Sequence, residues 1–400
     1  MITTYVKGDS RLIKDLNVAV ILEIVRDAGE ISRTEIARRS KLSPPAVTVI
    51  INDLLEKELI LEVGKAPSTG GRRRRLISLN PDGRYFIGVD IGATKIHGGL
   101  LDFTGDLLCN LETPTDSQIP PKEIVISVIE NLMSKSKVPK AKILGIGLGI
   151  PGVVNPEDRI ATFSPGVGWE NRDIGGEISE AVGIPVWVDN EANAKVHGEQ
   201  WKGALKDINN GVCLTIGNGI GMGLLLNQRV YHGKRGASGE IGYWLLNFGE
   251  PIQRNPGYGH LESFAAGSGI VQRTKDYLTA NQQVSSTLRG IELSAKAVFE
   301  AAQNGDPVGV RIIEATTRML GVAIANLSSL LDVERVVLSG GITRAGSILL
   351  DPVKEIVEAL APYPPEIVIS KLQETAGVLG AAHGFIVQDQ TYINFNKTEF

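Results

Sequence analysis

Cysteine is scarce in this sequence, because the 400 residues contain only Cys109 and Cys213. Structural zinc sites use up to four thiolate ligands, and disulfide-stapled domains need several cysteine pairs. Two cysteines far apart in the sequence therefore exclude a thiolate-rich metal site and a disulfide framework. Such low cysteine usage is typical of proteins from reducing compartments.

Long apolar runs are also lacking. The stretch from Ile143 to Val154 is interrupted by glycine and proline, and it is shorter than the roughly 20 apolar residues that cross a bilayer. The N-terminus, beginning Met1-Ile2-Thr3-Thr4, soon carries acidic and basic residues and lacks the apolar core of a signal peptide. We therefore expect a cytoplasmic protein with no membrane span.

What is present is an ordinary globular composition, with 42% hydrophobic and 22% charged residues. A chain of 400 residues is longer than one ordinary core allows, so more than one folded unit is expected. Residues 1–84 carry 15 Lys and Arg against 11 Asp and Glu, a net charge of +4, whereas residues 85–400 carry 26 against 34, a net charge of −8. A basic segment beside an acidic one suits phosphate binding by the first.

Two helices are predicted before residue 40. From Asp9 to Ala28, apolar residues recur at helical spacing, namely Ile13, Leu16, Val18, Ile21, Leu22 and Val25. After Gly29, the pair Ser32 and Glu35 has the capping-box pattern, in which serine caps a helix N-terminus and glutamate reaches back to the cap.

A third helix is predicted to begin at Ser43-Pro44, because serine caps well and proline is tolerated at the first helical position. Its inward face contains Val47, Ile50, Ile51 and Leu54, and its outward face contains Pro45, Thr48, Val49 and Asn52. This is the arrangement of a helix-turn-helix, whose recognition helix presents such outward side chains to base edges in the major groove.

Two short strands, Leu59–Val63 and Leu76–Leu79, are predicted to form a wing around a basic loop. The loop contains Arg72, Arg73, Arg74 and Arg75. Together with Ser43 and the outward residues of the third helix, these arginines are the predicted DNA contacts. The alternative is a protein-interaction module whose arginines are simply solvated; the order of the motif favours DNA.

From residue 83 onward, glycine-rich turns follow predicted buried strands. The strand Tyr85–Ile91 contains Asp90 and leads into a turn with Gly92 and Thr94, where backbone N–H groups can approach an anion and the carboxylate can hold a hydrated metal. Similar glycine turns follow later strands and contain Gly217, Gly219 and Gly341. An interpretation of these turns as purely structural remains open.

Taken together, the motifs resemble the ROK family of repressors and sugar kinases from about Tyr85 onward. The resemblance rests on Asp90 to Lys95, Gly147 to Gly152, Asn190-Glu191-Ala192-Asn193, Gly239-Glu240-Ile241-Gly242 and Gly340-Gly341. The helix-turn-helix and its wing are similar to the repressor branch, which includes xylose-type repressors.

The resemblance implies an α/β fold class, with a winged helix-turn-helix at residues 1–82 and an actin-like, ribonuclease-H-like domain of two lobes at residues 83–400. One lobe is expected at about 83–190 plus the C-terminal helix, and the other at about 191–380. A dimer is also implied.

The same resemblance implies the site residues. The sugar hydroxyls are expected to contact Asn190, Glu191, Glu240, Tyr243 and Glu262, and the nucleotide positions of the kinases correspond to Asp90, Gly92, Thr94, Gly217, Gly219 and Gly341. Carboxylates and a carboxamide can pair with vicinal hydroxyls. Trp169 either walls this pocket or packs in the core, and core packing is favoured.

Three departures from the kinase pattern weaken an enzymatic interpretation. Glu191 stands where the kinases have a catalytic aspartate, and Asn218 stands where their phosphate loop has threonine. The zinc motif is missing, because Tyr243 replaces its histidine and residues 254–262 contain no cysteine. We expect no structural zinc, and His260 is interpreted as a hydrogen-bonding residue.

The favoured hypothesis is a sugar-responsive repressor of carbohydrate-utilisation genes that binds a pseudo-palindromic operator as a dimer. The alternative is an ATP- and Mg²⁺-dependent sugar kinase that carries a DNA-binding segment. A sugar-binding scaffold without DNA contact is the third hypothesis, and it leaves the capped third helix and the arginine run without a role. No metal is expected in the first hypothesis.

Overall fold

The computed structural model describes residues 10–65, 75–92, 94–115, 118–245 and 259–388. Of the predicted wing arginines, Arg72, Arg73 and Arg74 lie outside the described residues, and Arg75 lies within them. No helix in the described part of the chain is long and apolar enough to span a membrane.

Residues 10–82, called the head below, form three helices and a three-stranded antiparallel sheet in the order β1-β3-β2. The elements are α1 (Ser10–Ala28), β1 (Ile31–Ser32), α2 (Arg33–Ser40), α3 (Pro44–Glu56), β2 (Ile60–Lys65) and β3 (Arg75–Leu79). The serine hydroxyls cap as predicted: Ser32 accepts from the backbone N–H of Glu35 at 3.3 Å, and Ser43 from that of Ala46 at 3.4 Å.

Two details of the predicted head are wrong. The Glu35 carboxylate accepts from Arg38 and Arg39 instead of reaching back to the cap, because two cations lie within one helical turn of it. On α1, Ile13 and Leu16 are 54% and 49% exposed, so the six apolar residues of the predicted helix do not share one buried face. Only Val18, Ile21, Leu22 and Val25 of that set are buried.

The first lobe is built on a five-stranded mixed sheet in the order β11-β7-β4-β5-β6. Strands β4, β7 and β11 are parallel, and β5 and β6 extend the sheet antiparallel. Its elements are β4 (Tyr85–Ile91), β5 (Lys95–Asp102), β6 (Leu107–Pro114), α4 (Pro121–Ser136), β7 (Ile143–Ile150), β8 (Val153–Asn155), β9 (Ile160–Ser164), β10 (Trp169–Arg172), α5 (Ile174–Val182) and β11 (Val186–Asn190). Strands β8, β9 and β10 form a separate small sheet.

The second lobe repeats this plan with a five-stranded sheet in the order β14-β13-β12-β15-β16. Its elements are β12 (Gly211–Ile216), β13 (Ile220–Leu226), β14 (Arg229–Val230), α7 (His260–Ala265), α8 (Gly267–Ala280), α9 (Ala295–Gln303), α10 (Pro307–Leu331), β15 (Arg335–Ser339), α11 (Ser347–Leu360) and β16 (Glu366–Ile369). Strands β12, β15 and β16 are parallel, as β4, β7 and β11 are in the first lobe.

Helices α6 (Glu191–Lys202) and α12 (Thr375–Gln388) pack against each other between the two sheets. A Cβ on Gly380 would lie 1.6 Å from the carbonyl oxygen of Ala194, so the close approach of the two backbones requires glycine there. Helix α12 also packs on the first lobe's sheet, since a Cβ on Gly147 would lie 1.8 Å from the carbonyl oxygen of Ala381.

The head and the first lobe share one hydrophobic core. Phe86 of β4 stacks on Phe103 at 6.2 Å and contacts Phe385 of α12 at 6.4 Å, and these rings belong to the same buried cluster as the core of the head. The connection between them is a tight turn at Asn80, which donates its side chain to the carbonyl of Glu58 at 2.7 Å. The head is therefore packed on the lobe through α12 rather than joined by a loose linker.

Candidate functional site

A cleft of about 1410 Å³ lies between the two lobes, at the carboxyl ends of their parallel strands. The turns after β4, β7, β11, β12 and β15 contribute to it. The structure brings all the predicted cleft residues to its wall: Asp90, Gly92, Thr94, Asn190, Glu191, Gly217, Gly219, Glu240, Tyr243, Glu262 and Gly341.

Asn190 is the N-cap of α6 and arranges the floor of the cleft. Its side-chain oxygen accepts from the backbone N–H of Ala192 at 2.7 Å and of Asn193 at 3.3 Å. Its side-chain nitrogen donates to the carbonyl of Gly152 at 2.7 Å and to the Glu191 carboxylate at 3.1 Å. Because both ends of the carboxamide are engaged, Asn190 positions Glu191 in this state of the cleft.

Glu191 lies in the first turn of α6, and burial raises its pKa to about 8. The positive charge of Lys195 opposes this shift, and the carboxylates of Asp90 and Glu240 add to it. At a pH near this pKa, the Glu191 carboxyl therefore exchanges between a protonated form, which can donate a hydrogen bond, and an ionised form, which only accepts.

The second lobe supplies two further carboxylates. Glu262 on α7 accepts from the backbone N–H of Ile220 at 3.1 Å, which fixes it against the start of β13. Burial, reinforced by the neighbouring charge of Glu262, raises the pKa of Glu240. Glu191, Glu240 and Glu262 thus line the same cleft, close enough for the charge of Glu240 to act on Glu191.

A buried ion pair, not predicted from the sequence, joins the two sides. Asp189 at the end of β11 is fully buried and lies 2.7 Å from Nε2 of His232, which follows β14 in the second lobe. The carbonyl of His232 accepts from Ser238, two residues before Glu240. Burial opposes the charge of His232, but the hydrogen bond and charge of Asp189 outweigh it and raise its pKa. The pair connects the strand before Asn190 to the segment before Glu240.

At the end of the cleft near Thr94, the charged side chains pair with one another. Lys95 Nζ lies 2.9 Å from Glu112 and 3.3 Å from Glu374, and Arg344 also pairs with Glu374. His97, Glu112 and Glu374 could together hold a metal ion by their spacing, but the Lys95 ammonium already bonds both carboxylates. Residues 254–258 lie outside the described part, so the expected lack of zinc stays a prediction.

Three aromatic side chains near the cleft differ in burial, and two of them were discussed from the sequence. Trp169 is 3% exposed and packs in the core of the first lobe, as the favoured interpretation had it. Phe163, on the neighbouring strand β9, is 47% exposed and lines the cleft, which the sequence analysis missed. The available sequence signal was the alternation of side chains between the two faces of a short strand, but alternation does not show which of those faces meets the cleft. Tyr243 is 52% exposed at the cleft wall.

On the head, the predicted recognition residues Pro45, Thr48, Val49 and Asn52 are all exposed on α3. Val49 is 64% exposed, and Asn52 accepts a hydrogen bond from Arg33 at 2.9 Å through its side-chain oxygen. Arg75 pairs with Glu62 at the base of the wing, so part of its charge is already balanced. The surface offers methyl groups and hydrogen-bonding side chains to a groove.

Comparisons with known proteins agree with this architecture. A ROK family model matches residues 86–388, and a winged helix-turn-helix DNA-binding model matches residues 20–60. The chain is 28% identical over 387 residues to the xylose repressor of Caldicellulosiruptor bescii, covering 93% of this chain and 96% of that protein. It is 32% identical over 329 residues to a glucokinase of Halalkalibacterium halodurans, covering 79% of this chain and 99% of that protein.

Among solved structures, a ROK family transcriptional regulator described as a homolog of the E. coli MLC protein matches with a TM-score of 0.81. The two are 27% identical, and the match covers 95% of this chain and 97% of that chain.

A winged helix-turn-helix packed on a two-lobed domain with a carboxylate-lined cleft defines a DNA-binding regulator built on an actin-like, sugar-kinase-type fold. The chain belongs to the ROK family, because the family model spans most of its length. The predicted family and fold class are confirmed, and the presence of the head places the chain with the family's transcriptional repressors.

Proposed function

We propose that this protein represses carbohydrate-utilisation genes by binding operator DNA through α3 and the wing, and that a sugar in the cleft releases it. The observation that supports the proposal most directly is the presence, in one chain, of an exposed and capped recognition helix and a cleft between two lobes that is lined by three carboxylates. A recognition helix can occur without such a cleft, and the cleft can occur without a recognition helix, but a sugar-responsive regulator requires both.

The sugar is proposed to bridge the lobes. Glu191 begins α6, the helix packed between the two sheets, and Glu240 and Glu262 belong to the second lobe, so hydroxyls that contact all three would tie that lobe to α6. Helix α12 packs against α6 on one side and contributes Phe385 to the core shared with the head on the other. Movement of the lobes could therefore change the orientation of the head.

Such coupling has a thermodynamic condition. The sugar must bind the DNA-incompetent state more tightly than the DNA-competent state, because equal affinity would shift nothing. Allosteric couplings of this kind usually change affinity by about 5- to 150-fold. We further propose a cytoplasmic homodimer, whose two heads contact half-sites an integral number of helical turns apart.

The test begins with duplexes selected from a random pool by the full-length protein. Fluorescence anisotropy then measures operator affinity with D-xylose, D-glucose and their disaccharides. We expect one sugar to weaken operator binding by at least about tenfold, and Glu240→Gln to keep operator binding while losing the response. Glu358→Gln, an exposed glutamate on α11, is the matched control and should behave as the unchanged protein.

The proposal fails if no duplex is preferred over competitor DNA, or if every sugar that binds leaves operator affinity unchanged. Sedimentation with and without the selected duplex tests the dimer, and a single unrepeated site in footprinting would contradict it.

A second candidate, an ATP-dependent sugar kinase, is favoured by the similarity to the H. halodurans glucokinase. Glu191 argues against it, because misplacing a general base by about 1 Å can cost about 100-fold in rate. Incubation with ATP, Mg²⁺ and the same sugars decides between the two. Turnover of about one per second or faster would make the protein an enzyme, and Glu191→Asp should raise activity if the extra methylene is what removed it.

A further inference from the structure

Lys195 is a cleft residue that the sequence analysis did not single out. It lies on α6 one helical turn after Glu191, so the two side chains share a face of that helix. Its Nζ is 4.0 Å from Oδ2 of Asp90, and the two side chains are only 13% and 14% exposed. An ammonium group therefore lies at the floor of the cleft, between two carboxyl groups from different elements.

The charge of Lys195 is balanced by those carboxyl groups rather than by hydrogen bonds. Burial alone would lower its pKa, but the charges of Asp90 and Glu191 outweigh burial and raise it. Within the described residues, the ion pair with Asp90 is the contact that its ammonium makes, so its N–H donors remain available to a ligand. The side chain is thus a cation held in place by the cleft itself.

Backbone approaches Asp90 closely on two sides. A Cβ on Gly377, in the first turn of α12, would lie 2.2 Å from Oδ2, and a Cβ on Gly149 at the end of β7 would lie 3.4 Å from Oδ1. The N-terminus of α12 favours the negative charge of Asp90. Lys195 therefore occupies part of the limited space around a carboxylate that is 14% exposed to the cleft.

A magnesium ion with its nucleotide does not fit this arrangement. Mg²⁺ binds a carboxylate oxygen at about 2.1 Å and keeps a near-octahedral shell, whereas here a positive charge already stands beside Asp90. Three other cations line the cleft among the described residues, and each already has a carboxylate partner: Lys95 and Arg344 are bound by Glu112 and Glu374, and Lys296 lies 3.7 Å from Glu300. These balanced pairs offer a polyphosphate little net positive charge.

We infer that Lys195 is the resident cation of the cleft, that it takes the place of a divalent metal at Asp90, and that the cleft therefore binds an unphosphorylated sugar without Mg²⁺ or nucleotide. The inference rests on the proposed function only in taking the ligand to be a sugar. Lys195 also donates to that sugar, since its N–H groups face the same cleft as Glu191.

The experiment measures Mn²⁺ binding by electron paramagnetic resonance in the full-length protein. Four forms are compared: the unchanged protein, Lys195→Arg, Lys195→Met, and Lys195→Met combined with Asp90→Asn. The unchanged protein and Lys195→Arg should show no Asp90-dependent Mn²⁺ site. Lys195→Met, which keeps the length and removes the charge, should bind Mn²⁺ at least about tenfold more tightly, and the added Asp90→Asn should abolish the gain.

Calorimetry supplies a second readout that needs no variant. The sugar affinity of the unchanged protein should stay within about twofold when Mg²⁺ and a non-hydrolysable ATP analogue are added. The inference is overturned if the unchanged protein has an Asp90-dependent Mn²⁺ site, if Mg²⁺ with nucleotide changes its sugar affinity by more than about tenfold, or if folded Lys195→Met gains no Mn²⁺ affinity. If Lys195→Met does not fold, the unchanged protein and Lys195→Arg decide.

The outcomes separate this inference from the proposed function. An Asp90-dependent metal site in a protein whose operator binding still responds to sugar would remove the role of Lys195 and leave the repressor intact. Failure of every sugar to affect operator binding would remove the repressor, and the Mn²⁺ measurements would still decide the role of Lys195.

Discussion

On α3 of the head, Val49 is 64% exposed, whereas Lys195 in the cleft is 13% exposed and Asp189 behind the cleft wall is fully buried. The head thus presents its predicted DNA contacts on the outside of a helix, where the properties of each side chain depend little on the others. The cleft buries its functional groups together, so that the pKa of each depends on its neighbours. A change in the head should therefore have a local effect on DNA binding, and a change in the cleft should propagate through charge and lobe position.

The largest expected effect is on the cleft. Glu262→Gln should weaken sugar binding by about 100-fold, because it removes a charged acceptor that β13 holds in position. Operator binding without sugar should stay within about twofold, since the head is distant from α7. Calorimetry and anisotropy measure the two affinities. Glu358→Gln, exposed on α11 and outside the cleft lining, is the control, and an equal loss of sugar affinity in both variants would contradict the special role of Glu262.

The matching change in the head is Asn52→Ala. We expect about tenfold weaker operator binding, since a side chain that contacts a base edge contributes roughly 1–3 kcal/mol of discrimination. Sugar affinity measured by calorimetry should not change. Glu56→Gln, exposed at the end of the same helix, is the control. A loss of sugar affinity in Asn52→Ala would show that the two regions are not separable.

The pH dependence of stability should also distinguish the head from the two lobes, because all five histidines lie beyond residue 82. Asp189 raises the pKa of His232 above its usual 6.5, in spite of the opposing effect of burial. The ion pair therefore contributes its full stabilisation to the folded state below pH 6.5, and this contribution is lost as the pH rises through the raised pKa. Glu157 adds to the shift, and His197 lies nearby as a second imidazole.

Relative to His232→Gln, the melting temperature of the unchanged protein should fall by about 1 °C between pH 6.5 and 9. Differential scanning calorimetry of both proteins over this range makes the comparison. Ionisation of Glu191 affects both proteins, so the difference isolates His232. Parallel melting curves would contradict the proposed link between β11 and the segment before Glu240.

The smallest expected effect is on the cap of the recognition helix. Ser43→Ala should lower the free energy of unfolding by about 1 kcal/mol, because the N–H of Ala46 loses its acceptor. Ser43→Asp should restore it, since aspartate caps equally well. Urea unfolding followed by circular dichroism measures both. An Asp variant as unstable as the Ala variant would show that Ser43 does not act as a cap.

Much of the head could be predicted because its signals are local. Ser43 and Pro44 define the start of α3, and the burial of Val47 and Ile50 follows from helical spacing. The same reasoning failed for Ile13 and Leu16, because spacing places residues on a helix face without showing what covers that face. On α1, the exposed apolar residues Ile13 and Leu16 fit the same helical spacing as the buried ones.

The cleft was predicted in part. Glycine turns after strands indicated that Asp90 and Gly341 would lie near each other, and the family resemblance implied Asn190 as a site residue; all three line the cleft, since carboxyl ends of parallel strands collect at one edge of a sheet. The ion pair between Asp189 and His232 had no local signal, because its partners are 43 positions apart in different lobes. Lys195 did have a local signal, because it lies four residues after Glu191, but only the fold showed that Asp90 lies beside it.

The order of amino acids by itself determined the helices, the caps, the glycine turns and the family, because these depend on neighbours within a few positions or on motifs that stand contiguous in the chain. The tertiary structure alone decided which charges face each other across the cleft, which face of α1 is covered, and that α12 packs against both α6 and the head. Those outcomes depend on distances between segments remote in the chain, and the strength of a charge or an apolar contact is set by the atoms that surround it after folding.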